Sequence, residues 1–152
     1  VHLAHRWHVK AMIVLAMAVL ALLILALTGP APRADASARS TAWNALKWAE
    51  GKAGCWYSYG GTSCSQGYDC SGLVMSAFDH AGYSLPRTTG EMLASGRIYQ
   101  VRWRDRRQGD LLFWGNYHVE LVTKHASFGA QQSGTRVGWH SLWGSPTVWR
   151  IR

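Results

Sequence analysis

Beyond residue 36 the apolar positions fall into a helical half followed by a half of short alternating runs. Ala42, Ala45, Leu46 and Ala49 recur at helical spacing behind Ser40 and Thr41, either of which can cap, and Gly51 or Gly54 ends the run. Leu73, Val74, Ala77, Phe78 and Ala81 form a second stripe between Asp69, a good N-cap, and Gly82, a natural stop. A short helix through Glu91, Met92 and Leu93 can start at Thr88 or Thr89 and stop at Gly96, while Pro86 keeps Leu85 extended. After that the period becomes two. Strands are predicted over 98–103, 110–114, 118–123, 127–131, 137–143 and 148–151, with Leu111 to Trp114 apolar throughout and therefore buried. Helices first and strands afterwards predict an α+β domain, helices packed on an antiparallel sheet or half-barrel.

The first 36 residues read differently. His2, His5, Arg6, His8 and Lys10 make a basic start, and Ala11 to Leu27 is an unbroken apolar run. Gly29, Pro30, Pro32 and the small-residue pattern Ala34-Asp35-Ala36 follow. Basic, apolar, then A-x-A predicts a signal peptide over 1–36, with cleavage after Ala36. The alternative is an uncleaved membrane anchor, although the run is short against the ~20 residues a span needs. Either reading places residues 37–152 outside the cytoplasm, secreted or associated with a wall, with a membrane involved only through the leader.

The formal net charge is +8, and Arg102, Arg104, Arg106 and Arg107 cluster in one short stretch. No nucleic-acid motif accompanies them, so the expectation is a solvated basic loop, with attraction to anionic wall polymers as the second use. Nine Trp and six Tyr supply core, rim and groove surface whose division the sequence does not give.

Three cysteines lie beyond the leader. No C-x-x-C pair supports a zinc site, and no metal or cofactor is expected. Cys55 and Cys64 bracket a loop rich in Gly, Ser and Tyr and are expected to pair, leaving Cys70 free. Cys70 follows the N-cap Asp69, so it sits in the first turn at the positive end of the helix dipole, where a thiolate is favoured. A cysteine nucleophile needs a base, an orienter for that base and an oxyanion site. His80, His118, His125 and His140 are the candidate bases; His80 points away from Cys70 along its own helix and His125 falls at a hairpin tip. If Lys124-His125 is a two-residue turn, residues summing to 249 face each other, so Leu121 meets Phe128 and Val119 meets Ala130 on an apolar face. On the other face His118 lies opposite Gln131, with Gln132 the substitute if a bulge intervenes.

Asp69-Cys70-Ser71-Gly72-Leu73-Val74 followed by Leu85-Pro86-Arg87-Thr88-Thr89 resembles the nucleophile segment of the NlpC family of papain-like cysteine peptidases, which cut bacterial cell-wall peptides. The resemblance extends to Tyr57-Ser58-Tyr59-Gly60-Gly61, to Gly109-Asp110-Leu111-Leu112-Phe113-Trp114 and to His118-Val119, and covers the chain after the leader. It implies the papain-like NlpC fold, Cys70 as nucleophile, His118 as base and the Tyr57 hydroxyl as second oxyanion donor beside the Cys70 N–H. The third position, usually His and in some members Asn or Gln, has no His here, so Gln131 is expected to orient His118, with Gln132 and His140 as the alternatives. Asp69, Ser71 and Arg87 match positions near the substrate; in relatives that cut next to a free N-terminal amine, the Asp and Ser help hold it. The implied function is an exported peptidase hydrolysing an amide bond in the peptide stem of peptidoglycan, acting as a monomer. The alternatives are an amidase or acyltransferase on the same scaffold, or a catalytically silent wall-binding module.

Overall fold

The computed structural model describes residues 15–20 and 33–152. Residues 15–20 are helical, and none of the described helices is long and apolar enough to cross a membrane. The basic start, the rest of the apolar run and the Gly29 to Pro32 stretch lie outside the described residues, and with them the expected signal peptide or anchor.

Residues 34–152 form one compact unit. Its first helix, α1 (Arg33–Glu50), begins well before the predicted cap at Ser40 or Thr41 and runs through Ala36 without a break. Alanines at 34, 36 and 38 favour helix there. Asp35 in the first turn complements the dipole and pairs with Arg39 at 3.4 Å and Arg107 at 3.0 Å. The expected stripe Ala42, Ala45, Leu46 and Ala49 is buried.

Helix α2 (Cys70–His80) starts where Asp69 accepts the Gly72 N–H at 2.6 Å. Its face Leu73, Val74, Ala77 and Phe78 is fully buried, and it packs mainly against the strand that carries His118. Gly72 permits the approach of the preceding loop: a Cβ there would collide with the Gly61 carbonyl. Helix α3 (Thr89–Ala94) is held by a capping box between Thr88 and Glu91.

The strands are β1 (Thr62–Ser63), β2 (Gly67–Tyr68), β3 (Ile98–Val101), β4 (Leu111–Trp114), β5 (His118–Val122), β6 (Ser127–Gly129), β7 (Gly138–His140) and β8 (Thr147–Ile151). The first two form a small antiparallel pair inside what the sequence predicts as loop. The other six form one antiparallel sheet in the order β3-β8-β4-β5-β6-β7. All but β8, which starts one residue early at Thr147, are shorter than their predicted runs; residues 98–103, for example, stop at Val101 and turn into a 3-10 helix, Trp103–Asp105. β4 is buried on both faces, which explains its lack of alternation. Leu111 and Phe113 join the core under α1 and α2, while Leu112 and Trp114 join a second cluster with Val122 and Val148. Asp110, just before β4, is buried and fixes β8 by accepting from Arg150 Nε at 2.9 Å and Nη2 at 2.8 Å.

Cys55 and Cys64 are joined, and Cys70 is free, as expected. The bridge closes the loop that carries Tyr57. For a sequence separation of 9, replacing both bridged cysteines by Ala should lower stability by about 2–3 kcal/mol in urea denaturation, on a chain-entropy estimate. Oxidised protein unfolded without reductant should titrate a single thiol; three thiols, or no loss of stability in the double variant, would contradict this role.

Candidate active site

Cys70 is the first residue of α2 and is buried beneath the surface of a pocket of about 490 Å³. The pocket is lined by Tyr57, Cys70, Tyr117, His118, Gln131, Gln132 and Trp143. Loop, helix and sheet thus bring together four residues the sequence nominates: Cys70, His118, Tyr57 and Gln131.

His118 opens β5, opposite Trp114 of β4, and is buried. Its ring lies between aromatic walls, 5.4 Å from the Trp114 centroid and 6.1 Å from that of Trp143. Trp143 is itself stacked on Trp114 at 4.8 Å and held by the Trp114 indole N–H, which donates to the Trp143 carbonyl at 2.7 Å. Burial pushes the imidazole down, but interactions with Cys70 and with the Glu120 carboxylate outweigh it and raise the ring to about 9. His118 is therefore a cation held beside Cys70.

The partner of His118 is where structure and sequence reading differ. The predicted β5–β6 register is present: Leu121 faces Phe128 and Val122 faces Ser127, both pairs summing to 249. Val119, Leu121, Phe128 and Ala130 make the buried apolar face. Yet Nε2 of His118 donates to Oε1 of Glu120 at 3.1 Å, whereas Gln131, expected to orient the ring, stands in the pocket wall beyond the end of β6. Gln132 is exposed in the same wall. His140 is engaged elsewhere, Nε2 lying 3.2 Å from the Gly129 carbonyl. His80 stacks on Trp48, and His125 is exposed in the β5–β6 turn. Glu120 was legible in one respect: two residues after His118 on a strand means the same face.

Tyr57 is pushed up by burial and then by the neighbouring Cys70 and Asp69, so its phenol stays a protonated donor. The backbone around it is pinned: the Tyr57 N–H donates to Thr135 O at 3.0 Å and Ser58 N–H to Tyr68 O at 3.0 Å.

Asp69 and Ser71 flank the nucleophile, but their polar atoms are engaged within the chain. Asp69 Oδ1 accepts from Gly72 N at 2.6 Å and from the Ser71 hydroxyl at 3.5 Å; Oδ2 accepts from Gly60 N at 2.8 Å and Arg87 Nη2 at 2.6 Å. Arg87 Nη1 also donates to the Ser71 hydroxyl at 2.9 Å. Hydrogen bonding to Asp69 raises the guanidinium further. A carboxylate has about four acceptor positions, so Asp69 is saturated, with Arg87 as its paired cation. Among the described residues no group of three or more His, Cys, Asp or Glu side chains could hold a metal ion.

Residues 54–147 match the model of the NlpC/P60 family. A probable endopeptidase of Corynebacterium glutamicum strain R is 33% identical over 120 residues, 76% of this chain and 56% of that protein. The peptidoglycan endopeptidase RipB of Mycobacterium tuberculosis is 33% identical over 109 residues, 62% of this chain and 44% of that protein. The solved structure of RipB matches with a TM-score of 0.66 and 28% identity, covering 80% of this chain and 68% of that one. The chain thus spans about half the length of these two curated relatives, and 20% of the bifunctional muramidase/DL-endopeptidase CwlT of Bacillus subtilis, to which it is 41% identical over 68 residues. With the family's model spanning well over half of its length and a helix-borne cysteine facing a strand-borne histidine, the chain belongs to the NlpC/P60 family.

Proposed function

We propose that the domain is an extracytoplasmic cysteine peptidase that hydrolyses an amide bond in the peptide stem of peptidoglycan. The observation that carries this reading is Cys70 at the first position of α2, beside a His118 held cationic to about 9, in a pocket that also holds Tyr57. The helix dipole and the imidazolium both favour the thiolate. Its sulfur adds to the carbonyl carbon, and the oxyanion takes hydrogen bonds from the Cys70 N–H and the Tyr57 hydroxyl. The C–N bond breaks as His118 gives its proton to the departing amine, leaving a thioester. His118 then takes a proton from water, the hydroxide adds, and the C–S bond breaks to release the acid and restore the pair.

Export is part of the proposal, supported by the leader pattern of residues 1–36 and by a disulfide, which persists in oxidising compartments. The wall as substrate is supported by the named relatives. The basic stretch around Arg102 to Arg107 suits anionic wall polymers as a secondary contact, with no nucleic acid or further subunit required. With Asp69 already saturated by the helix cap and Arg87, no free carboxylate is left there to hold an ammonium, which favours stems whose N-terminus is acylated over stems with a free ammonium. An amine in place of that hydrolytic water would make the same thioester an acyl-transfer intermediate, and product masses separate the two.

Cys70→Ser should lower the release of stem fragments from purified wall by more than about 10³-fold, and Tyr57→Phe by about 10–100-fold, with folding unchanged by circular dichroism. Fragments are read by mass spectrometry. Wild-type rates for Cys70→Ser would refute the mechanism, and wild-type protein that binds wall but releases nothing would support the silent module. In a second comparison, an N-acetylated stem peptide should be cut with a kcat/KM at least equal to that of the same peptide with a free amine. A preference for the free amine above about tenfold, ~1.4 kcal/mol, would show that Asp69 is released from Arg87 when substrate binds.

A further inference from the structure

Glu120 is a carboxylate in an unusual place. It sits mid-strand between Val119 and Leu121 and is 0% exposed. One oxygen, Oε1, takes the His118 ring; the other, Oε2, has no partner among the described residues. Burying a carboxylate is costly unless it is fully paired, and an apolar side chain would serve the core better. The neighbouring strand is shaped around it. In the β5–β6 register Gly129 falls opposite Glu120, and a Cβ at 129 would lie 2.5 Å from Glu120 Cγ, 3.0 Å from Cδ and 3.1 Å from Cβ. Gly129 is absent from the glycines with positive φ, so it is there for space and not for backbone conformation.

We infer that Glu120 is the positioning residue of His118 and that Gly129 is the notch admitting its side chain, so that the volume beside ring Nε2 is filled from β5 and not from β6. The inference rests on His118 acting as the base of the reaction proposed above. Because a carboxylate oxygen accepts, Nε2 carries the proton, and Nδ1 is the nitrogen left to exchange one with Cys70. The charged neighbours of the ring are Glu120 on its own strand and Cys70 from α2. Trp114 from β4, Trp143 from the loop before β8, and Gln131 in the pocket wall carry no charge. Glu120 is thus the negative charge that keeps the imidazolium, and through it the thiolate, in place.

The test uses the full chain and two readouts: the pH profile of Cys70 alkylation by iodoacetamide, and kcat and KM on one defined stem peptide. Glu120→Gln keeps the shape and removes the charge. It should move the midpoint of thiolate formation up by about one pH unit and lower kcat by about 10–100-fold with KM little changed. Glu120→Gly should lower kcat further. Combining Glu120→Gly with Gly129→Glu, which sends a carboxylate into the same volume from β6, should recover at least about tenfold of that loss. A folded Glu120→Gln variant with an unmoved alkylation midpoint and a kcat within about twofold of wild type would overturn the positioning role. A folded double variant no better than Glu120→Gly would overturn the notch. If wild type cuts no peptide while its alkylation midpoint still responds to Glu120→Gln, the peptidase reading fails and the positioning role stands.

Discussion

Everything at this site depends on the seating of the first turn of α2 against β5. A helix N-terminus stabilises a thiolate only over its first turn, and a thiol and an imidazole exchange a proton only in contact. The apolar face Leu73, Val74, Ala77 and Phe78 sets the depth of that seating, and Val119 and Leu121 receive it. The other features fix one or other side of the contact. Asp69 caps the helix while tying down the Gly60 loop and Arg87. Gly72 lets the same loop lie against the helix. Asp110 locks β8 to the start of β4, so the strand opposite His118 is held from its far edge as well.

The site is electrostatically expensive, and its charges are arranged in two closed groups. One is Asp69, Ser71 and Arg87, closed by internal hydrogen bonds. The other is Cys70, His118 and Glu120, aligned from helix to strand. In each group a buried carboxylate is satisfied by a cation, so neither helix cap nor core strand leaves an isolated charge in a low dielectric. The exception is Glu120 Oε2, the one orphan among the described buried side-chain atoms. A residue kept at that cost, opposite a glycine that makes room for it, is better explained by what it does to His118 than by stability.

Much of this was legible in the sequence because it rests on short-range patterns. An N-cap, a cysteine and a helical stripe located α2, and a two-residue turn with apolar alternation gave the β5–β6 register. The spacing of Cys55 and Cys64 around a glycine-rich loop gave the disulfide. Long-range facts were not legible. That β8 lies between β3 and β4 brings Asp110 to Arg150, forty residues apart in sequence. Helix α1 places Asp35 in its first turn within reach of Arg107, seventy-two residues away in sequence. At the site, Cys70, His118 and Tyr57 stand out in the sequence by motif and position and line one pocket, whereas Glu120 reads there as one charged residue inside an apolar run. Cross-strand register points from His118 to Gln131, whereas the hydrogen bond runs two residues along the same strand.

The central claim is that His118 is a cation at neutral pH because Cys70 and Glu120 both hold it so. Histidine-selective 15N NMR of the oxidised, folded chain, titrated from pH 6 to pH 10, reads this directly. The account predicts that the His118 ring keeps both nitrogens protonated through neutrality and titrates near 9, well above the ordinary value of 6.5. A His118 that titrates at or below 6.5 would contradict it, because burial would then have prevailed and the thiolate would have no cation beside it.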